Sequence, residues 1–358
     1  MKRLKFAYSM LIRFSNEVEG HHFTLRFLPS SDTGQRIENL SYKIEPCEYL
    51  SEGHDSFGNR YLFGHTEKRH SFFSAQAQGT AVTGLPEDQV QAQGTNVTGL
   101  SDYRTQAQST NATGLSDYRT QAQGTNVTGL SDYRTEPPGS GQFPVSAEIR
   151  KIDPESTFSL TEGWIKAKPS VTPAAGTIAD YERIFRCQTP WTRQGAELHA
   201  FTASFNLCNS LTPSQKAEEI MHRVHDKLVY DKTLTDANTD AESAIHLSGG
   251  VCQDYAQIMI SVCRALGIPA RYATGMLIGE GESHAWVEIC DSGRWTGFDP
   301  TNDVNVTDSY IRISAGRDHS DCSINRGIFR LLTPGTIQTQ TVSVSVRELP
   351  AQFVPGYP

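Results

Sequence analysis

The chain has 358 residues, room for two domains or for three if one is small, and at 37% hydrophobic and 20% charged it can bury real cores. A net charge of −8, from 32 basic and 40 acidic residues with no basic run, argues against nucleic acid as a partner. No uncharged stretch reaches the roughly 18 residues of a membrane helix, and Arg13 interrupts the short apolar opening with no small-residue cleavage site after it, so neither a membrane span nor a signal peptide is expected.

Residues 1–75 alternate apolar and polar positions as antiparallel strands do. Phe23-Thr24-Leu25-Arg26-Phe27-Leu28 is one such run, and Asn59-Arg60-Tyr61-Leu62-Phe63-Gly64 is another, entered through a turn at Ser56-Phe57-Gly58-Asn59. With no helical period in this stretch, an all-β sandwich is expected. A tandem array follows. Four units of 15 residues run from Gln76 to Thr135, the later ones close to QAQGTNVTGLSDYRT. Each unit has too few apolar positions to pack a core, so 76–135 reads as a flexible insertion, with a short β-solenoid as the alternative. The array also offers a surface for protein contacts. Its Asn-x-Thr sequons at Asn96, Asn111 and Asn126 carry little weight without a secretory signal. Residues 136–152, with a strand-like run at Pro144–Arg150, are expected to close the β domain.

Residues 153–347 read as the second domain, with 348–358 as a tail. Thr212-Pro213-Ser214-Gln215 supplies an N-cap, a proline at the first helical position and a capping-box Gln. The helix then continues through Ile220, Val224 and Leu228. His222 and His225 share one of its faces, but with no third ligand nearby they read as a surface pair rather than a metal site. Ser248-Gly249-Gly250 next leads into a buried helix that starts near Cys252 and stops at Gly267, ahead of Pro269. A cysteine there faces the unpaired N–H groups and positive dipole end of the helix, which favour a thiolate and can receive an oxyanion.

Two strands follow, opening at His284 and ending at Asp299. A hairpin turning through Asp291-Ser292-Gly293 would set those two residues directly opposite each other, with Cβ atoms about 4.5–5.5 Å apart. A thiol, an imidazole and a carboxylate so placed are what acyl transfer through a cysteine nucleophile needs. Taken singly, each has a plainer reading: a buried thiol, a strand histidine, an Asp-Pro turn. Together Cys252, His284 and Asp299 form a candidate triad that calls for no metal or other cofactor. The seven cysteines are odd in number and include no CxxC pair, which argues against a disulfide framework or zinc site and suits a reducing, cytoplasmic setting.

Four segments carry a resemblance: Gly250-Val251-Cys252-Gln253-Asp254-Tyr255-Ala256, Arg264–Tyr272, His284-Ala285-Trp286-Val287-Glu288 and Gly297-Phe298-Asp299-Pro300-Thr301-Asn302. The chain resembles the bacterial transglutaminase-like superfamily, whose members are often described as cysteine proteases. Its early residues, His22–Arg26 and Asp55–Asn59, are similar to the β-rich domain that precedes the core in that family. Gly316-Arg317-Asp318 also fits, although His319 follows where an aromatic residue is expected, and the repeats are no family feature. The resemblance implies an α+β fold, a papain/transglutaminase-like core preceded by the β domain. It casts Cys252 as nucleophile, His284 as general base and acid, and Asp299 as the residue orienting it. A peptide, isopeptide or glutamine amide in a peptide or protein substrate is the expected target. Hydrolysis is the favoured outcome, since no second substrate site announces itself. An amine acceptor would make the protein a transglutaminase, and an inert interaction scaffold is the remaining alternative.

Overall fold

Burial on every second residue governs the first strand. β1 (Lys2–Leu25) buries Leu4, Phe6, Tyr8, Met10 and Ile12 on one face and leaves the positions between them more exposed. β2 (Gln35–Glu45), β3 (Tyr49–His54), β4 (Arg60–Thr66) and β5 (His70–Thr83) follow, with the two-residue β6 (Ile165–Lys166) alongside β2. The computed structural model describes residues 1–32, 34–85, 165–166 and 182–350. The repeats beyond Leu85 and the run at 144–150 lie outside the described residues.

In the second part, α1 (Ala196–Ala203) and α2 (Pro213–Lys227) precede a short parallel pair, β7 (Val229–Tyr230) and β8 (Gly249–Gly250), with α3 (Ala241–Leu247) between its strands. α4 (Cys252–Ala265) comes next, then β9 (Ala270–Leu277), β10 (Gly279–Gly281), β11 (His284–Asp291), β12 (Arg294–Asp299), β13 (Val304–Asn305) and β14 (Tyr310–Gly316). The chain closes with β15 (Asn325–Leu331) and β16 (Gln338–Glu348). The sheet β13-β12-β11-β9-β14 packs one face on α4, whose residues from Asp254 to Arg264 are all buried. Ile258, Met259, Val262 and Cys263 share a core there with Val287, Ile289 and Phe298.

The β-rich part is a single sheet folded over by its long first strand. Up to Arg13, β1 lies between β5 and β16; from Val18 it pairs with β15, and from His21 with β4 as well. The second half of β1 thereby packs back onto the first layer: the Phe23 ring sits 4.7 Å from that of Phe73, which pairs with Ile12.

Two boundaries read from sequence need correction. β5 includes Gln76–Thr83, so the opening of the first repeat is a central strand of the β domain rather than part of an insertion. Ala77 and Ala81 alternate into the core there. The second boundary is the end of the core, because β15 and β16 pair with β1 rather than with the core sheet. The core ends near Asp321, and the chain then returns to the β domain.

Polar residues join the two parts. The Asn59 side chain donates to the Ala315 carbonyl and accepts from its N–H, each at 2.8 Å. Glu288, buried and held down to about 2, is enclosed by burial that opposes its charge and by the Arg271 and Arg312 guanidinium groups that outweigh it. Arg312 reaches on to Asp32 at 2.6 Å. These bonds position β14, which carries Tyr310 to Asp299.

Candidate functional site

The entry to α4 is specified by one glycine and one carboxylate. Gly250 has φ +150°, and a Cβ on it would stand 2.3 Å from Asp254 Oδ2. That oxygen accepts from the Val251 N–H at 2.8 Å and from the Thr235 hydroxyl at 2.6 Å. Asp254 therefore closes the first turn of the helix from a fully buried position, where burial above all pushes its carboxyl up. Sequence marks it only as a favourable first-turn acid. Cys252 follows Val251 as the first helical residue, half-buried and packed against the core. Orphan N–H groups of the helix start surround its backbone.

His284 opens β11 and Asp299 ends β12, and the structure brings their side chains together: Nε2 of His284 lies 2.7 Å from Oδ2 of Asp299. They are not directly opposite. Asp291 pairs with Arg294 and Val287 with Phe298, because the turn is the two-residue Ser292-Gly293, with φ of 53° and 82°. The ladder is thus displaced by two residues from the expected pairing. A shift of two preserves the face, so the His–Asp contact survives as a diagonal one.

Asp299 has no exposed surface. Its Oδ2 also accepts from Tyr310 Oη at 2.8 Å and Asn302 Nδ2 at 2.7 Å. Oδ1 takes the N–H groups of Thr301 at 3.0 Å and Asn302 at 3.2 Å. Burial alone would raise this carboxyl, but the His284 bond, its charge and the bonds from Asn302 and Tyr310 hold it below the usual carboxylate range. His284 shows the complementary effect. Burial pulls its pKa down, and hydrogen bonds to Asp299 and Cys252, with the charges of both, outweigh it and push the imidazole up to about 10. Since Nε2 is committed to Asp299, Nδ1 is the nitrogen left for Cys252.

Sequence reasoning assigns no role to Tyr310 or Asn302. Asn302 sits within the quoted Asp299 motif, whereas Tyr310 lies 11 residues beyond Asp299 and reaches it only because β14 pairs with β9. His222 and His225 act separately, His222 Nδ1 on Asp303 Oδ1 at 2.5 Å and His225 Nδ1 donating to the Pro300 carbonyl at 3.1 Å. Both steady the loop that follows Asp299. His319, the departure from the family pattern, packs edge-on against Trp191 with ring centres 4.2 Å apart and bonds Gln257 at 2.9 Å. Cys252, His284, Asn302 and His319 all line one groove of about 1190 Å³, with β10 and Val344 of β16 among its other walls.

Residues 204–300 match the model of the transglutaminase-like superfamily, and residues 4–82 match that of the bacterial transglutaminase-like N-terminal region. The chain carries a transglutaminase-like core and the N-terminal region that bacterial transglutaminase-like proteins have. An uncharacterised Mycobacterium leprae protein is 40% identical over 113 residues, covering 29% of this chain and 40% of that relative. The match thus spans less than half of that relative's length. An uncharacterised Mycobacterium tuberculosis protein is 26% identical over 231 residues, covering 56% of this chain and 74% of the relative. Among solved structures, a candidate cysteine protease from Cytophaga hutchinsonii superposes with a TM-score of 0.60 at 18% identity, covering 100% of this chain and 95% of that one. At that identity the superposition speaks for the fold, a transglutaminase-like core with its β-rich N-terminal region. Among the described residues, no helix is long and apolar enough to cross a membrane.

Proposed function

We propose that this transglutaminase-like protein is a cysteine-nucleophile acyl-transfer enzyme that hydrolyses an amide bond in a peptide or protein. The observation that carries this reading is the convergence of His284 with buried Asp299 at 2.7 Å and with the Cys252 thiol at the start of α4. In the first half-reaction Cys252 gives its proton to Nδ1 of His284 while sulfur attacks the amide carbonyl. The N–H groups of the helix start receive the oxyanion. The imidazolium then protonates the departing amine, leaving a thioester. In the second, His284 takes a proton from water, hydroxide adds to the thioester, and the carboxylic acid leaves as the thiol is restored. Asp299, held by five donors, stabilises the imidazolium and fixes its ring. The seven cysteines, all unpaired, fit a reducing compartment such as the cytoplasm.

The test is iodoacetamide labelling at pH 5–9, followed by peptide mass mapping of wild type and His284→Ala. Labelling of Cys252 that persists at pH 6 in wild type and is lost in the variant supports an activated pair. A Cys252 that reacts identically in both proteins overturns it.

A further inference from the structure

The groove wall beside His284 is an unpaired sheet edge. Among the described residues, β10 pairs with β16 alone, through Gly279 with Val346, Glu280 with Ser345 and Gly281 with Val344. All three of its residues are exposed, and all three line the groove that holds Cys252. Nothing lies within 4 Å of where a Cβ would stand on Gly279 or Gly281, so the strand is open at both glycines, which bring no side chain of their own to the edge. Gly281 is separated from His284 only by Glu282 and Ser283.

Exposed edges invite strand addition, and proteins commonly cover them or charge them. Here the edge lines the same groove as the candidate nucleophile, and the charges stand around it: Glu280 between the two glycines, and Glu282 paired with Lys232 at 3.1 Å on the rim. We infer that β10 is a ledge on which the substrate polypeptide adds as an extended strand, so that its backbone is held along the groove with one carbonyl at Cys252. This rests on the acyl-transfer reading above and narrows its substrate to an extended chain, as opposed to a lone side chain offered by a folded surface. A strand so added lies about 4.8 Å from β10 and bonds through alternate residues. Main-chain bonding makes it tolerant of side-chain identity.

That tolerance allows a test without knowing the natural substrate. Acetyl-alanine chloromethyl ketone and acetyl-tetraalanine chloromethyl ketone are compared on the full chain, with a set of tetraalanine probes N-methylated at one amide each. In each case the Cys252 sulfur displaces chloride to form a thioether, and the thiol proton passes to His284. The tetrapeptide is expected to label Cys252 at least about tenfold faster than the single residue, and N-methylation to cancel that gain at alternate positions only. Equal rates for the long and short probes overturn the ledge, as does an equal effect of methylation at every position. Tetrapeptide rates that fall with rising protein concentration as a dimer forms also overturn it, assigning the edge to a second copy. If neither probe nor iodoacetamide labels Cys252, the acyl-transfer reading itself has failed.

Discussion

Asp299→Asn removes one buried negative charge while leaving the size of the side chain unchanged. It therefore isolates the electrostatic part of the His284–Asp299 contact. The rise of His284 from 6.5 to about 10 is worth ~5 kcal/mol in favour of the imidazolium, at 1.36 kcal/mol per pH unit. The bond and charge of Asp299 share that gain with Cys252, both acting against burial, so the variant imidazole should titrate below the wild-type value. Because the folded pKa is raised, this stabilisation is fully present below the unfolded value of 6.5 and fades as pH climbs through about 10. The variant should accordingly lose about 1.5–3 kcal/mol of folding stability at pH 6, the worth of a hydrogen bond to a charged group, with the gap to wild type closing toward pH 10. The assay is an NMR titration of the assigned His284 ring protons, paired with urea unfolding at the two pH values. A wild-type midpoint at or below 6.5, or one that does not move in the variant, would show that Asp299 does not hold the His284 charge.

Tyr310→Phe keeps the ring against Trp286 but removes a hydroxyl that bonds Asp299 at 2.8 Å. A donor to a charged acceptor is worth about 1.5–3 kcal/mol, so the rate of Cys252 labelling should fall and the melting temperature drop; neither changing would remove Tyr310 from the site. Gly250→Ala should cost about 1–3 kcal/mol in urea unfolding through backbone strain, since the new methyl meets Asp254; an unchanged midpoint would contradict the helix-entry argument. In native protein at pH 7.5, iodoacetamide should reach Cys252 and exposed Cys208, whose thiol is lowered by its bond to Ser210, but spare Cys263 and Cys290, which burial pushes up to about 12 and about 11. Mapping that found those two labelled before unfolding would show a looser core than described. Finally, His21 is pulled down to about 4, by burial foremost and by the charges of His70 and His22. A depressed histidine contributes stability above its unfolded pKa that is lost as pH falls from 6.5 toward 4, here ~3 kcal/mol. The difference in stability between pH 7 and pH 4.5 should shrink in His21→Phe, and equal acid sensitivity in the two proteins would sink the idea.

Local chemistry made much of this molecule legible. Thr212 with Gln215 forms the capping box that their spacing predicts, with Pro213 at the first helical position. α4 begins at Cys252, one residue after the Gly-Gly entry and Val251, because the glycine and the first-turn acid are neighbours in sequence. The side-chain parity of β11 and β12 was equally readable, which is why His284 and Asp299 share a face despite a wrong register. That register was decided by whether Asp291 joins the turn or the ladder. The choice rests on positive φ at both Ser292 and Gly293, and a serine does not announce it.

The kinds of groups in the site and the elements that carry them follow from local pattern, since caps, turns and alternation act over a few residues. What surrounds those groups follows instead from long-range packing. Tyr310 joins Asp299 through pairing of β14 with β9, and Val344 walls the groove because β16 returns to a strand more than 300 residues earlier. The QAQGT segment opening the repeats shows the same division. At Gln76–Thr80 it is a central strand because β1 and β2 flank it. Nothing within those five residues distinguishes that copy from the one at Gln91–Thr95. The partners that complete a strand are far away in the chain, and local pattern carries no record of them.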